Sequence, residues 1–202
     1  YTLSLLNVKT MLLIALGIVA VLLITGCQFS RSGYETASYS VKRKDNDFEV
    51  REYPTLLVVE TPTVRAGDGT DGSFMRLFRY ITGSNQQGQK IAMTTPVFMS
   101  EQEANPTMAF VLPKDYQASN APLPKDANVK ISEIKSGLFA VLRFEGGRSL
   151  KNESVATARL NQWLEAQHLK STGKPIFAYF DPPWTPPFLR RNEVMVRLES
   201  SQ

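Results

Sequence analysis

The sequence predicts an α+β domain, and three patterns indicate it. Short runs of alternating or β-branched apolar residues, typical of strands, recur from about residue 38 to the C-terminal end. Two longer segments instead place apolar residues at the three- and four-residue spacing of an amphipathic helix. The elements follow the order strand, strand, helix, strand, strand, and this order occurs twice. A sheet with one helix per half, each packed on one face, makes an α+β domain.

Composition limits the classes of protein to which the chain can belong. It has 202 residues, of which 21% are charged and 10% aromatic, and its formal net charge is +4. This length suits one ordinary globular domain. One Cys and one His leave no intrachain disulfide, no Cys-based zinc site and no site with several His ligands. The small excess of positive charge is interspersed with acidic residues, so no nucleic-acid partner is expected.

The N-terminal segment 1–26 predicts a signal peptide or a membrane anchor. Its uncharged apolar run, 11–24, is shorter than the roughly 20 residues of a membrane span but suits a signal peptide. The run leads into Ile24-Thr25-Gly26-Cys27, which resembles a bacterial lipobox and makes Cys27 the expected lipid-attachment residue. The protein would then be exported and tethered to a membrane, as an outer-membrane lipoprotein facing the periplasm. The alternative is an uncleaved anchor in which the thiol is incidental.

The polar segment 27–37 has no periodicity and is interpreted as a tether, so that the globular domain spans 38–200. In this domain, 47–53 and 55–61 are predicted as a pair of strands that Pro54 interrupts. Four further runs after the first helix have the same β-like character. They are 107–112, 129–134, 138–145 and 176–180, and a last run, 194–198, completes the sheet.

Both predicted helices have an apolar face. In the first, the face comprises Phe74, Leu77, Phe78 and Ile81, and Gly83 is the expected stop. The second opens near Ser149 or Asn152, and its apolar residues are Ala156, Leu160, Trp163 and Leu164.

The spacing of these elements predicts an internal repeat. Leu77 and Ile81 precede Leu160 and Leu164 by one and the same interval. The strand residues Phe48 and Val50 precede Val129 and Ile131 by nearly that interval. Two related halves of similar length are therefore predicted.

No residue pattern assigns a catalytic centre. The chain lacks the Gly-x-Ser-x-Gly elbow of a serine hydrolase, and the loop GDGTDG lacks the Lys of a phosphate-binding loop. Carboxylate chemistry would require acidic residues to meet in space. The candidates for that are Glu49, Glu52, Glu145 and Asp181.

The first predicted helix favours binding of an apolar or amphiphilic molecule. Beside its apolar face lie Arg76, Arg79 and Tyr80, and a large apolar area with a few cations suits a flat hydrophobic ligand that carries carboxylates. The alternative is that the face is core and that the arginines are merely solvated.

Several sequence blocks resemble the SOUL haem-binding protein family, in the family's order and spacing. They are FEVREYP (48–54), GSFMRLFRYITGSNQQGQKIAMTTPV (72–97), MAFVLP (108–113), AVLRFEGG (140–147) and YFDPPWTPPFLRRNEVMVRL (179–198). The resemblance implies a twisted, barrel-like antiparallel sheet with two helices and a pseudo-two-fold repeat. It also implies that haem or a related tetrapyrrole binds in a cleft beside the first helix.

Carried over by position, the resemblance implies apolar ligand contacts from Phe74 and Phe78 and a basic contact from Arg79. Thr185 stands where a relative has a basic residue. The lone His168 lies outside the cleft block, so weak and reversible binding is predicted, without a strong protein–iron bond. Such a protein would be a carrier or scavenger. The alternatives are a sensing module or a carboxylate-dependent hydrolase with a non-haem ligand.

The proline-rich stretch near the C-terminal end is predicted to be stiff and extended. Its four prolines surround Trp184, and such a segment is expected to bury the indole. Arg190, Arg191 and Glu193 follow it and are expected to pair, which would hold the last strand in place.

Overall fold

The computed structural model divides the chain into two compact units, Tyr1–Gly33 and Tyr34–Gln202. In the first unit, residues 10–17 form the helix α1. No helix in the described part of the chain combines the length and apolar character that crossing a membrane requires. Cys27 and the lipobox-like motif lie outside the described residues. The described ranges are 10–17, 33–63, 71–100, 106–182 and 184–199.

The described part of the second unit contains two α-helices and eleven strands. The helices are α2 (Ser73–Ile81) and α3 (Leu150–Ala166). The strands before α2 are β1 (Glu35–Thr36), β2 (Ser40–Asp45), β3 (Phe48–Tyr53) and β4 (Leu56–Pro62). Between the helices lie β5 (Thr94–Thr95), β6 (Val97–Ser100), β7 (Thr107–Val111), β8 (Lys130–Ile134) and β9 (Gly137–Phe144). After α3 come β10 (Ser171–Tyr179) and β11 (Asn192–Leu198).

Nine strands form one antiparallel sheet in the order β2-β3-β9-β11-β10-β6-β7-β4-β8. The small parallel ladder of β1 and β5 lies apart from it. The sheet is not closed, since β2 and β8 each have a neighbour on one side only among the described strands. The predicted α+β class, with a twisted antiparallel sheet and two helices on it, is confirmed.

The strand order confirms the predicted pseudo-two-fold repeat. The first half contributes β3, β4, α2, β6 and β7, and the second half contributes β8, β9, α3, β10 and β11 in the same order. When each strand is exchanged for its counterpart, the order from β3 to β8 reads the same from the opposite end. The axis therefore passes between β6 and β10, and β2 is an addition at one edge of the repeat.

The prediction that 47–53 and 55–61 pair with each other is wrong. Both segments are strands, but β3 pairs with β2 and β9, whereas β4 pairs with β7 and β8. A two-residue hairpin loop needs residues that accept a positive φ, usually Gly or Asn. Pro54 and Thr55 supply neither, so the chain continues into another part of the sheet.

Each face of the sheet contributes to its own apolar core. The helix-bearing face packs against α2 and α3 through residues such as Val59, Leu77, Leu142 and Leu160. The opposite face holds a second core. Its buried members include Tyr53, Leu56, Val58, Phe98, Ala109, Phe139, Val141, Phe180 and Met195. Successive residues of a strand point to opposite faces, so Val58 lies in the second core and its neighbour Val59 in the helix-side core.

Ser149 caps α3, as one of the two predicted starting positions. Its backbone is extended, and its hydroxyl oxygen accepts a hydrogen bond from the Asn152 backbone N–H at 3.2 Å. We expect Ser149→Ala to lower the free energy of unfolding by about 1 kcal/mol, because a helix N–H loses its acceptor. Urea unfolding measures this loss. Ser149→Gly is the control and should cost only a few tenths of that, and equal losses in both variants would contradict the capping role.

Candidate ligand-binding groove

Helix α2 packs on β4 and β7, and its buried residues fix how it lies. Leu77, Tyr80 and Ile81 face the sheet. The Tyr80 hydroxyl donates a hydrogen bond to the Pro122 carbonyl at 2.7 Å. Burial raises the pKa of Tyr80 to about 12, so the phenol is a neutral donor near neutral pH. Tyr80 thus belongs to the core, although the sequence placed it beside the apolar face.

Arg76 fixes the flank of α2 that lies next to β4. Its Nε donates to the Thr61 hydroxyl at 3.0 Å, and its Nη2 donates to the Pro62 carbonyl at 2.7 Å. Its Nη1 donates to the Asp71 carbonyl at 3.2 Å. The guanidinium is therefore occupied by three oxygens around the helix start and holds α2 against the end of β4.

Phe74 and Phe78 lie on the opposite flank of α2. Their side chains are 36% and 39% exposed, so the alternative that the apolar face is core holds for Leu77 and Ile81 but not for these two rings. The rings are nearly parallel, with 6.0 Å between centroids and 14° between planes. Phe74 also meets Phe110 of β7 edge-on at 5.2 Å. The pair forms an aromatic surface that water can reach.

This surface faces a groove between the two helices. Since α2 covers β4 and β7 and α3 covers β9, β10 and β11, β6 lies between the two covered areas. The flank of α2 opposite β4 therefore points across β6 toward α3. We call this feature the inter-helix groove and define it by Phe74, Phe78, Thr157, Asn161 and Phe177.

The far wall of the inter-helix groove is polar. Between α3 and β10 lies a cavity of about 580 Å³, lined by Thr157, Asn161 and Phe177 among others. Thr157 and Asn161 follow Phe74 and Phe78 by the same interval that separates the two helices in the repeat. Equivalent positions thus carry aromatic rings on one wall and a hydroxyl and an amide on the other.

A buried carboxylate lies at the start of the polar wall. Glu153 accepts a short hydrogen bond from the Tyr179 hydroxyl, and the Arg148 Nε lies 3.8 Å from the same carboxylate. The Arg148 guanidinium also lies 5.9 Å from the centre of the Tyr179 ring. Sequence reasoning missed Arg148, which follows two glycines and belongs to no helical face.

Arg79 does not lie on the same flank as the two phenylalanines. One residue along a helix turns the side-chain direction by about 100°, so Arg79 points away from Phe78. It is exposed and lines a separate cavity of about 290 Å³ with Arg76 and Lys125. Of the three predicted contact residues, the structure brings Phe74 and Phe78 together and places Arg79 on the outer side of the helix.

The other residues considered for ligand contact lie in different places. His168 is exposed just beyond the C-terminal end of α3, with a φ of 55°. Met75 is exposed on α2, whereas Met93 packs against the helix-side core. Thr185 is buried, and its carbonyl accepts a hydrogen bond from the Arg190 Nε at 2.7 Å.

The acidic residues do not assemble. Glu49 accepts a hydrogen bond from the Arg51 Nε at 2.7 Å, whereas the exposed Glu52 pairs with Lys42 at 2.7 Å. Asp181 accepts a hydrogen bond from the Arg191 backbone N–H at 2.6 Å. Within the described ranges, no three His, Cys, Asp or Glu side chains are placed to share a metal ion.

The prediction that the proline-rich segment buries Trp184 is wrong. Its side chain is 82% exposed, whereas that of the next residue, Thr185, is buried. The chain is also not extended throughout as predicted, since the Thr185 backbone N–H closes a turn on the Pro182 carbonyl at 3.0 Å and residues Pro187–Leu189 form a short 3-10 helix. The predicted pairing after this segment is confirmed for Arg191 and Glu193, at 2.6 Å.

The fold and the groove define a duplicated α+β domain with an open, partly aromatic cleft of ligand size. The family model described as SOUL heme-binding protein matches residues 34–197. The chain belongs to this family.

Individual proteins agree with that membership. Heme-binding protein 1 of Xenopus tropicalis is 30% identical over 157 residues, which cover 73% of this chain and 81% of that protein. Heme-binding protein 1 of Mus musculus is 29% identical over 174 residues, or 82% and 86%. The crystal structure of the EcmrR C-terminal domain matches with a TM-score of 0.57 at 13% identity, covering 81% of this chain and 99% of that one. At that identity, the likeness shows the fold alone.

Proposed function

We propose that this protein binds haem or a related tetrapyrrole in the inter-helix groove, as a carrier or scavenger. The observation that carries the proposal is the pair of exposed, nearly parallel rings of Phe74 and Phe78. A planar apolar macrocycle that covers both rings removes exposed aromatic area from water, which is favourable by about 25 cal/mol per Å². The relatives named heme-binding protein 1 support the same ligand class.

The residues around the groove fit a macrocycle that is held by its face and its edge. Phe177 supplies apolar floor, and Thr157 and Asn161 offer polar groups on the far wall. Carboxylates at the edge of the macrocycle would extend toward Arg148 at the start of α3, because Arg79 lies on the outer side of α2. His168 does not line the cavity on the α3 side, so the proposal assigns no imidazole to the iron. Binding is then weak and reversible.

Haemin titration of the full chain, followed by the Soret absorption band, tests the aromatic surface. We expect Phe74→Ser and Phe78→Ser each to raise the Kd about tenfold, which corresponds to about 1.4 kcal/mol of lost contact. Met75→Ser is the matched control, because Met75 is exposed on the same helix but points away from the sheet. Its Kd should stay within about twofold of the starting protein.

Two outcomes would contradict the proposal. One is an unchanged Kd in both phenylalanine variants, which would place the ligand elsewhere. The other is a sharp six-coordinate haem spectrum that disappears in His168→Ala, which would show that the metal is held by this imidazole.

We also propose that Cys27 carries lipid and tethers the protein, after export, to the outer membrane on its periplasmic side. Support comes from the apolar run 11–24 and the Ile24-Thr25-Gly26-Cys27 motif, where the small residues suit signal peptidase and the thiol accepts diacylglycerol. Two or more acyl chains would give stable attachment, whereas one chain is marginal. Mass spectrometry of the protein purified from its own membranes should find a chain that begins at acylated Cys27. An intact, unacylated N-terminal segment would favour the uncleaved anchor.

A further inference from the structure

A second large cavity opens on the helix-free face of the sheet, away from the inter-helix groove. Its volume is about 910 Å³, within the range of small-molecule sites. The floor belongs to the second core and is apolar. It consists of Val58, Phe98, Ala109, Phe139 and Ile176, which come from five different strands. We call this feature the sheet cavity.

The rim of the sheet cavity is charged, and positive residues prevail. Lys130, Lys135, Lys174 and Arg197 line it together with Glu60 and Glu133. Lys130 lies 3.1 Å from the Glu60 carboxylate, so this pair neutralises itself. Among the other rim residues, Lys135 and Arg197 outnumber Glu133, so the rim is net positive even without Lys174, which has a partner of its own.

Arg197 is held in place by two backbone carbonyls and an aromatic ring. Its Nη1 donates to the Ser136 carbonyl at 2.8 Å, and its Nη2 donates to the Lys135 carbonyl. The guanidinium lies 4.5 Å from the centre of the Phe139 ring. Gly137 makes this position possible, because a Cβ there would collide with Arg197 Nη1.

Neutral carbonyls fix the direction of Arg197 but leave its charge intact. In the described part of the chain, no carboxylate forms an ion pair with it. A guanidinium has five N–H donors in a planar fork that matches carboxylate and sulfonate oxygens. Since two nitrogens already donate to backbone carbonyls, the group is pre-oriented at the mouth of an apolar cavity.

From this arrangement we infer that the sheet cavity is a second ligand site, which takes an amphipathic organic anion. The apolar body lies on Phe98, Phe139 and Ile176, and the anionic head faces Arg197. This site is independent of the proposed tetrapyrrole site, since it lies on the other face of the sheet and shares no lining residue with the inter-helix groove.

Calorimetric titration of the full chain with two ligands tests the chemistry of the site. Naphthalene-2-sulfonate and 2-naphthylmethylammonium share one apolar body and carry opposite charges. We expect the sulfonate to bind at least tenfold more tightly. Equal binding of the two ligands, or tighter binding of the ammonium, would overturn the inference.

Variants test the location. Arg197→Gln and Lys174→Glu should each weaken sulfonate binding at least fivefold. Lys151→Glu makes the same charge change as Lys174→Glu on an exposed residue at the start of α3, so it should leave the affinity within twofold. Phe74→Ser should also leave it unchanged. Lys174 lines the cavity and is exposed, so its replacement is not expected to disturb folding. Lys174→Glu therefore still tests the location if Arg197→Gln does not fold.

The results separate this site from the tetrapyrrole site. Sulfonate binding that falls in Phe74→Ser and persists in both cavity variants would place the ligand in the inter-helix groove and overturn the inference. Failure of haemin to bind would refute the proposed function without affecting this result.

Discussion

Glu193→Ala is expected to lower the free energy of unfolding by about 3–5 kcal/mol, because it removes the buried carboxylate that Arg51 and Arg191 share and leaves Glu49 as the remaining counter-ion of Arg51. Arg51 and Glu193 are 3% and 1% exposed and lie on the helix-free side of the sheet. They form a bidentate pair, with Nη1–Oε2 at 2.6 Å and Nη2–Oε1 at 3.0 Å. Arg191 adds a second cation at 2.6 Å. The carboxylate is thus the centre of a charged network inside the sheet.

The surroundings of Arg51 explain why the loss of Glu193 is expected to cost so much stability. Its Nη1 also donates to the Tyr53 hydroxyl at 3.1 Å, and its guanidinium lies 4.2 Å from the centre of the Tyr39 ring. Burial raises the pKa of Tyr53 to about 12, although the charge of Arg51 opposes this. Both tyrosines can orient Arg51 but carry no negative charge. Glu49 stays bound to the Arg51 Nε at 2.7 Å, but it is one carboxylate for the two guanidinium groups that Glu193 served.

Urea unfolding of the variant measures the loss. Glu52→Ala is the matched control on the adjacent chain segment, because Glu52 is an exposed partner of Lys42. An exposed ion pair contributes little to stability because solvent screens it, so this variant should unfold almost as the starting protein does. Similar losses in the two variants would show that burial does not strengthen the Arg51–Glu193 pair.

The same carboxylate predicts how stability depends on pH. Burial alone would raise the pKa of Glu193, but hydrogen bonds and charge from Arg51, and then Arg191, outweigh it and hold the pKa below its usual 4.5. A depressed pKa in the folded state stabilises the protein above the unfolded-state value, and this contribution is lost as the pH falls. Stability should therefore decrease below about pH 4.5. Glu193→Gln, measured by urea unfolding at several pH values, should remove this part of the slope.

Leu160→Ala is the second variant with a large expected effect. We expect it to lower the free energy of unfolding by about 2–5 kcal/mol. Leu160 is buried in the helix-side core, at the position of α3 that corresponds to Leu77 of α2. Removing most of its side chain leaves a cavity between α3 and the sheet, which close-packed neighbours fill only partly. Thermal or urea unfolding gives the magnitude.

Val155→Ala on the same helix provides the comparison. Val155 is exposed, and Ala has a higher helix propensity than Val, so its replacement should change stability by less than about 0.5 kcal/mol. A loss below about 1 kcal/mol for Leu160→Ala would mean that α3 does not pack on the sheet as described.

The sequence predicted both helices, seven strands and the repeat, because these depend on local periodicity, but it missed β2 and β6. Leu77 and Ile81, with Leu160 and Leu164, lie in one core as their equal spacing implies. The pairing between strands could not be predicted as well from the sequence. Whether β3 and β4 form a hairpin depends on the loop at Pro54 and on the other strands that compete to pair with them. The periodicity of apolar residues carries no information on either.

The groove could be predicted only in part for a similar reason. Periodicity identified Phe74 and Phe78 as apolar but could not decide how far α2 is rotated on the sheet. That rotation is set by Arg76, whose three backbone and side-chain acceptors come from β4 and the helix start. Once Arg76 faces β4, the two phenylalanines must face the other way, and Arg79 must face outward.

The unequal walls of the inter-helix groove bear on the pose of anything that enters it. With identical walls, the two-fold axis would make a ligand and its copy rotated by half a turn equal in energy. Phe74 and Phe78 opposite Thr157 and Asn161 abolish that degeneracy. A ligand with one apolar edge and one acidic edge would therefore bind in a single orientation. Its absorption spectrum would then show one bound species rather than a mixture of two.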